Sequence, residues 1–210
     1  MSEILWCADN GDGTYRNPVL YCDYSDPDAI CVNGTYYLTA STFNYVPGLP
    51  ILTSRDLVNW KLRNYAVKNI PEARYAAPQH AQGIWAPAIR FQNGRFYIYY
   101  GMPDEGIYMV STENPLGDWD TPVLVKPGKG LIDPCPFWDD DGRAYIIHGY
   151  AKSRIGFKSW LGIFPLSPDG RTALGDDHLL YDGTKNHPTI EGPWLSLIHI
   201  SEPTRQEAIS

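Results

Sequence analysis

Three acidic residues stand at similar points of the chain: Asp26 and Asp133 directly before a proline, and Glu191 before a Gly-Pro pair. Glycosidic hydrolysis requires such groups, a protonated carboxyl at the leaving oxygen and an ionised one that activates a water. A third carboxylate nearby would raise the pKa of the acid by like-charge repulsion. Inversion would need roughly 6.5–9.5 Å between the two working groups. A single Asp-Pro is more typical of a turn before a strand.

The acids are more significant than isolated residues because they stand at one position of a repeated pattern. Three segments, 26–38, 86–98 and 133–146, follow this pattern, and a fourth unit begins at Glu191 without being completed. Each segment has a dipeptide ending in proline, a short apolar run, an Asn-Gly or Asp-Gly pair and an aromatic, β-branched run. These pairs tolerate positive φ at both centres of a type I′ turn. Each segment is therefore predicted to form a tight β-hairpin.

A third strand is predicted after each hairpin, within 51–60, 107–119 and 161–170. The turn pairs lie 60 and 48 residues apart, which is room for about four strands and is the size of a propeller blade. The longer first spacing is attributed to a loop over 61–85. Since the innermost strands of propeller blades converge, the repeated acids are expected to meet in one pocket, with Ala86 in the equivalent position of the second blade.

The composition agrees with an all-β chain. Tyr occurs 15 times, Trp 7, Gly 19 and Pro 18, and helical periodicity is absent. With 43% hydrophobic residues, 210 residues can bury one core. A net charge of -7 without a basic run argues against nucleic acid or an anionic membrane as partner. The four cysteines, Cys7, Cys22, Cys31 and Cys135, lack metal-ligand spacing and are expected to be buried thiols.

Beyond these patterns, the sequence resembles glycoside hydrolase family 43, whose members commonly have β-xylosidase or α-L-arabinofuranosidase activity. The resemblance covers most of residues 9–194. It implies a five-bladed β-propeller with a pocket for a terminal pentose at a non-reducing end, and so a xylo- or arabino-oligosaccharide substrate. It is carried by five segments: 17–30, 35–60, 83–90, 131–150 and 186–193.

The resemblance also implies a role for individual residues. Asp26 falls on the general base of the family and Glu191 on its general acid. Asp133 falls on the acid that orients the sugar and holds the pKa of the general acid up. Phe43 and Trp85 fall on pocket aromatics, where a flat ring could pack on a sugar. Core packing is the alternative for both aromatics. For the whole chain the alternatives are a sugar-binding propeller without catalysis and an inactive fragment of such an enzyme.

The chain departs from the family pattern after Trp194. We therefore expect a propeller domain over 1–194, with about three blades and the start of a fourth, and a non-native tail over 195–210 that resembles translated vector sequence. Such a chain is expected to be unstable, because its sheet edges and core would be exposed. The family often places a cation at the propeller centre, whose ligand region would be missing here. No other cofactor is required, because side chains supply both proton transfers.

The remaining signals are weaker. The first 13 residues have neither a basic stretch nor an apolar segment of signal-peptide length, so a cytoplasmic, bacterial-type enzyme acting on imported sugars is expected. The acidic clusters at 9–13 and 139–142 lack the spacing of calcium loops and are read as turns. His80 and His187 are read as loop residues.

Overall fold

The computed structural model describes residues 6–195, which form three four-stranded antiparallel sheets. In each sheet the strands follow one another in chain order, as in the blade of a propeller. The first sheet, blade 1, contains β1 (Asp28–Val32), β2 (Thr35–Thr39), β3 (Gly48–Ser54) and β4 (Lys61–Val67). Blade 2 contains β5 (Trp85–Gln92), β6 (Arg95–Met102), β7 (Gly106–Thr112) and β8 (Val123–Pro127). Blade 3 contains β9 (Leu131–Trp138), β10 (Ala144–Tyr150), β11 (Trp160–Leu166) and β12 (His178–Asp182). The prediction of an all-β chain built from propeller blades is confirmed.

The three predicted hairpins are present, but their turns are not alike. Asn33 and Asn93 have φ of 50° and 48°, and the glycine after each also has positive φ, so both turns have the positive values of type I′. In the third hairpin only Gly142 has positive φ. Its amide donates to the carbonyl of Asp139, and the loop over 139–143 is longer than two residues. The Asp-Gly pair there does not form the expected tight turn.

Blade 1 differs from the prediction in its fourth strand. Residues 61–67, which were assigned to a loop, form the fourth strand of the blade. The long connection is shorter and runs over 68–84, with a single 3-10 turn at Ala73–Ala76. The alternation of apolar and polar residues in KLRNYAV is weak, so the strand is specified by its pairing with β3 rather than by its own pattern.

Blade 2 is packed on both faces. Ile98, Tyr100 and Met102 of β6 lie in a core shared with blade 1, whereas Tyr99 between them lies in a core shared with blade 3. Successive strand residues point to opposite faces, so a strand buried on both sides must be apolar throughout. After Arg95 at its edge, the strand meets that requirement with the run FYIYYGM, and blade 2 lies in the middle of the described assembly.

Among the residues that the structure describes, helix is confined to the 3-10 turn and to α1 (Lys152–Ile155), which follows β10. No helix among residues 6–195 has the length and apolar character needed to cross a membrane. The acidic clusters at 9–13 and 139–142 are turns, as expected: the Asp9 carboxylate accepts from the amide of Gly11, and the Asp139 carboxylate from that of Asp140.

The expectation of buried thiols holds for one cysteine of the four. Cys135 of β9 is buried, whereas Cys7, Cys22 and Cys31 are exposed, so the expectation is wrong for these three.

Candidate active site

The inner strands of the three blades begin with the same unusual backbone. Asp26, Ala86 and Asp133, each directly before a proline, have φ of 48°, 29° and 54°. Positive φ is uncommon for residues with a Cβ and costs free energy that surrounding contacts must offset. Its recurrence at three equivalent positions confirms that the repeat is structural. It also marks this end of the blades as a place where backbone strain is maintained.

A cavity of about 850 Å³ lies at this end of the blades. Its walls contain all five residues singled out from the sequence. Each blade contributes residues to the cavity. The segment that follows β10 and the segment around Glu191 contribute as well. The convergence predicted for the acids is therefore present in the structure. The five residues are Asp26, Phe43, Trp85, Asp133 and Glu191.

Asp26 is held by a buried serine. The Ser41 hydroxyl donates to Asp26 Oδ2 at 2.7 Å and accepts from the backbone amide of Ala86 at 2.8 Å. Ser41 is only 4% exposed, while Asp26 itself is exposed to the cavity. One oxygen of the carboxylate is thus fixed between blades 1 and 2. The Ser41 contact is a site feature that the sequence analysis missed.

Asp133 is the acid of the site whose pKa is clearly raised. Burial, together with the charges of Glu191 and Asp26, raises the pKa of Asp133 to about 6. The backbone amide of Gly192 donates to Asp133 Oδ2 at 2.9 Å, and this bond and His148 act in the opposite direction. The same bond ties the Glu191-Gly192 segment to blade 3. A raised pKa is thus a property of Asp133, the residue expected to orient the sugar.

The two aromatic residues of the site pack on each other. The ring centres of Phe43 and Trp85 lie 5.8 Å apart with planes at 84°, an edge-to-face pair. Both side chains are half-buried and line the cavity. The alternative of pure core packing does not describe them, since neither belongs to the two buried clusters of residues 6–195.

Other cavity residues escaped the sequence analysis. Asp28 pairs with Arg90, with 2.7 Å between Oδ2 and Nη1, and also accepts from the amide of Ile89. Burial raises the pKa of Asp28, and Arg90 opposes that rise. Lys152 and Lys158, around α1, add two cationic side chains to the lining. The Asp-Pro-Asp spacing of the first motif was a usable signal for Asp28, because residues two apart lie on one side of a strand.

The histidines that the sequence singled out stay outside the cavity lining. His80 and His187 are exposed, and the hydroxyl of Tyr181 lies 2.6 Å from His187 Nδ1. A third histidine, His148 of β10, is fully buried and lies 3.0 Å from the Asp177 carboxylate, although the pair is not aligned as a hydrogen bond. Burial on a central strand explains why it carried no motif.

Within residues 6–195, no three or more His, Cys, Asp or Glu side chains are grouped as metal ligands. The predicted tail over 195–210 lies outside the described residues, apart from Leu195.

Blades arranged around a pocket that holds three carboxylates and two aromatic rings define a propeller protein with a site of the glycosidase type. Residues 15–198 match the sequence profile of Glycosyl hydrolases family 43, and the chain belongs to this family.

Relatives with assigned names agree. The chain is 41% identical over 186 residues to a putative beta-xylosidase of Xylanibacter ruminicola, covering 88% of this chain and 33% of the relative. It is 36% identical over 151 residues to a non-reducing end alpha-L-arabinofuranosidase of Bacteroides ovatus, covering 68% and 28%. The crystal structure of a xylan beta-1,4-xylosidase from Bacillus halodurans matches with a TM-score of 0.69 at 27% identity, covering 85% and 35%. The chain thus spans about a third of the length of these relatives.

Proposed function

We propose that the protein is an exo-acting glycoside hydrolase that removes a terminal pentose, as a β-xylosidase, an α-L-arabinofuranosidase or both, with inversion. The observation that carries the proposal is the convergence of Asp26, Asp133 and Glu191 on one cavity. The pentose is inferred from the names of the relatives, since one is a putative beta-xylosidase and another an alpha-L-arabinofuranosidase.

In this proposal Asp26 takes the proton of the attacking water. Its exposure to the cavity gives a water access to the carboxylate, and the Ser41 hydroxyl fixes one of its oxygens. Within residues 6–195 the other oxygen has no hydrogen bond and can accept from the water. A base held in one orientation loses less entropy on reaching the transition state.

Glu191 gives its proton to the leaving oxygen. The charge of Glu191 adds to burial in raising the pKa of Asp133, which shows that the two carboxyls interact. Asp133 is anchored by the amide of Gly192, the residue that follows the proposed acid. It can accept from a sugar hydroxyl when ionised and donate to one when protonated. Water then attacks once, from the side of Asp26.

Hydrolysis of p-nitrophenyl β-D-xylopyranoside and p-nitrophenyl α-L-arabinofuranoside by the full-length protein tests the proposal. Glu191→Gln should lower kcat roughly 10²- to 10⁴-fold, the range of general acid catalysis. Calorimetry should show that xylobiose or L-arabinose still binds, because the amide is isosteric with the carboxyl. Proton NMR of the first product should show the inverted anomer.

The competing function is sugar binding without turnover, which the Phe43–Trp85 pair alone could support. A folded wild-type protein that binds pentoses with no release of p-nitrophenol would establish it. Retention of the anomeric configuration would instead contradict the roles given to Asp26 and Glu191.

A further inference from the structure

Behind the candidate stacking residue Trp85 lies a guanidinium that does not itself line the cavity. Arg154 belongs to α1, and the centre of its guanidinium lies 5.0 Å from the centre of the Trp85 ring. Its side chain is 16% exposed. The residues just before it, Ala151 to Ser153, do line the cavity. Arg154 therefore covers one face of the indole from outside the pocket.

Three acceptors from different segments hold the guanidinium in place. Nε of Arg154 donates to Asp104 Oδ2 at 3.3 Å, Nη2 to the carbonyl of Ala81 at 2.8 Å, and Nη1 to the hydroxyl of Ser153 at 3.0 Å. Asp104 lies in the β6–β7 turn and Ala81 in the connection before β5. One side chain thus links blade 2, the loop that leads into Trp85, and α1.

The indole has no hydrogen bond of its own to fix it. Trp85 Nε1 is buried and lacks a partner among residues 6–195. The ring is oriented instead by packing, with the edge-to-face contact of Phe43 and the guanidinium of Arg154. A cation over an aromatic face is an attractive contact, and it is stronger when partly removed from water.

We propose that Arg154 is a positioning residue that holds the indole of Trp85 as a platform for the sugar ring. This inference rests on the proposed function, since it assigns a task to a residue outside the pocket of the same site. With one face of the indole occupied by Arg154, a sugar stacks on the other. The residue acts on substrate affinity through Trp85 and takes no part in proton transfer.

Arginine suits this task better than lysine. Its planar fork serves three acceptors in different directions while its flat face lies against a ring. A lysine ammonium keeps the charge and can pair with Asp104, but it is a compact group without a flat face. Arg154→Lys should therefore fail to restore the wild-type KM, which separates positioning from simple charge pairing.

The test is a double-mutant cycle on the full-length protein with the p-nitrophenyl pentoside it hydrolyses. Arg154→Met should raise KM roughly tenfold, as expected for a partly buried cation–π contact, and change kcat less than about threefold. In a Trp85→Ala background the same substitution should change KM less than about twofold. Arg143→Met, at the exposed β9–β10 loop, is the control and should leave both constants unchanged.

An equal rise in KM with and without Trp85 would overturn the inference, as would full rescue by lysine. The orientation of the ring gives a readout that does not depend on activity. A crystal structure of Arg154→Met in which the Trp85 indole keeps its wild-type orientation overturns the inference, and a displaced indole supports it. If the wild-type protein hydrolyses and binds no pentoside, the proposed function fails, and the structure of the variant still decides the role of Arg154.

Discussion

At the residue scale, the site is dominated by a carboxyl that burial keeps partly protonated near neutral pH. The pKa of Asp133 is about 6 in the folded protein and 3.8 in the reference state. Between these two values the folded chain binds more protons than the unfolded chain. The free energy of unfolding therefore falls as the pH rises through this window and stays reduced above it. The full difference corresponds to a cost on the order of 2–3 kcal/mol at pH 8.

Asp133→Asn should remove this cost. We expect the variant to exceed the wild type in free energy of unfolding by about 1–2 kcal/mol at pH 8 and to show no gain at pH 4. The amide oxygen can still accept from Gly192, so the anchoring bond is retained. Urea unfolding at the two pH values measures the effect. Asp141→Asn is the matched control, because the bonds from Arg143 lower the pKa of Asp141 and no gain is expected there. A gain of equal size at both pH values would contradict the burial argument.

Ser41 offers a second test at this scale. Ser41→Ala removes the donor to Asp26 and leaves the amide of Ala86 without its acceptor. We expect kcat to fall roughly 10- to 100-fold, because a base loses its orientation. The free energy of unfolding should fall by about 1–2 kcal/mol.

Blade 1 contains a matched control for this change. Ser54 is equally buried, at 4% exposure, and bonds to Asp56 and the amide of Leu57 away from the cavity. Ser54→Ala should cost similar stability and leave kcat unchanged. If both variants lost kcat in parallel, Ser41 would be a structural residue only.

These residues also show what the sequence could reveal about the site. Asp26, Asp133 and Glu191 could be found because a repeat makes equivalent positions comparable within one chain. Ser41 and Arg154 could not be found in this way, because their importance comes from contacts with residues far away in the sequence. Ser41 is 15 residues from Asp26, and Arg154 is 69 residues from Trp85. Such contacts leave no local pattern.

At the scale of the elements, strand pairing was more predictable than the turns that join the strands. Asn33-Gly34 and Asn93-Gly94 take the backbone that their residue types favour, whereas the Asp-Gly pair of blade 3 lies in a longer loop. In that loop the carboxylates of Asp139 and Asp141 accept from the backbone amides of Asp140 and Arg143, and these bonds compete with the two-residue turn. Strand β4 was missed because its formation depends on pairing with β3, and the residues of one segment do not encode that pairing.

Close packing around β11 leads to a prediction for that element. A Cβ added at Gly162 would lie 2.6 Å from Asp177 Oδ1, 2.6 Å from the hydroxyl of Tyr150 and 2.8 Å from His148 Nε2. Gly162→Ala must push these polar groups apart. We expect a loss of about 1–3 kcal/mol in the free energy of unfolding, measured by urea denaturation.

A glycine in the same blade separates this effect from the glycine-to-alanine change itself. A Cβ at Gly175 would meet its nearest atom, Pro165 Cγ, at 3.4 Å, an ordinary contact. Gly175→Ala should be neutral or slightly stabilising, because alanine loses less backbone entropy on folding. An equal change in the free energy of unfolding at Gly162 and Gly175 would show that Asp177, Tyr150 and His148 can move aside.

At the scale of the whole molecule, the blades are joined by two apolar interfaces and by a small number of polar contacts. Tyr99, fully buried in blade 2, donates to the carbonyl of Gly170 in blade 3. Between blades 1 and 2 the corresponding contact is the ion pair of Asp28 and Arg90, whose side chains are 11% and 15% exposed. The two charged groups have lost most of their hydration at this depth, so each charge is stabilised by the other instead of by water.

Arg90→Met should therefore destabilise the molecule by about 3 kcal/mol or more, since it leaves the Asp28 carboxylate buried without its partner. The loss should grow with pH. Burial already raises the pKa of Asp28 and Arg90 opposes this rise, so without Arg90 the acid takes up a proton more easily as the pH falls and the penalty shrinks. Urea unfolding at pH 5 and pH 8 measures both effects.

Two further variants decide whether the ion pair or the loss of packing is responsible. Asp28→Asn combined with Arg90→Met removes both charges and should recover most of the lost stability, because no unpaired charge is left. Arg95→Met tests an arginine of the same blade whose partners Glu113 and Asp120 are exposed, and it should cost less than about 1 kcal/mol. If the double variant were as unstable as Arg90→Met alone, the blades would be joined by the aliphatic stem of Arg90, and the charge of Asp28 would have no part in their contact.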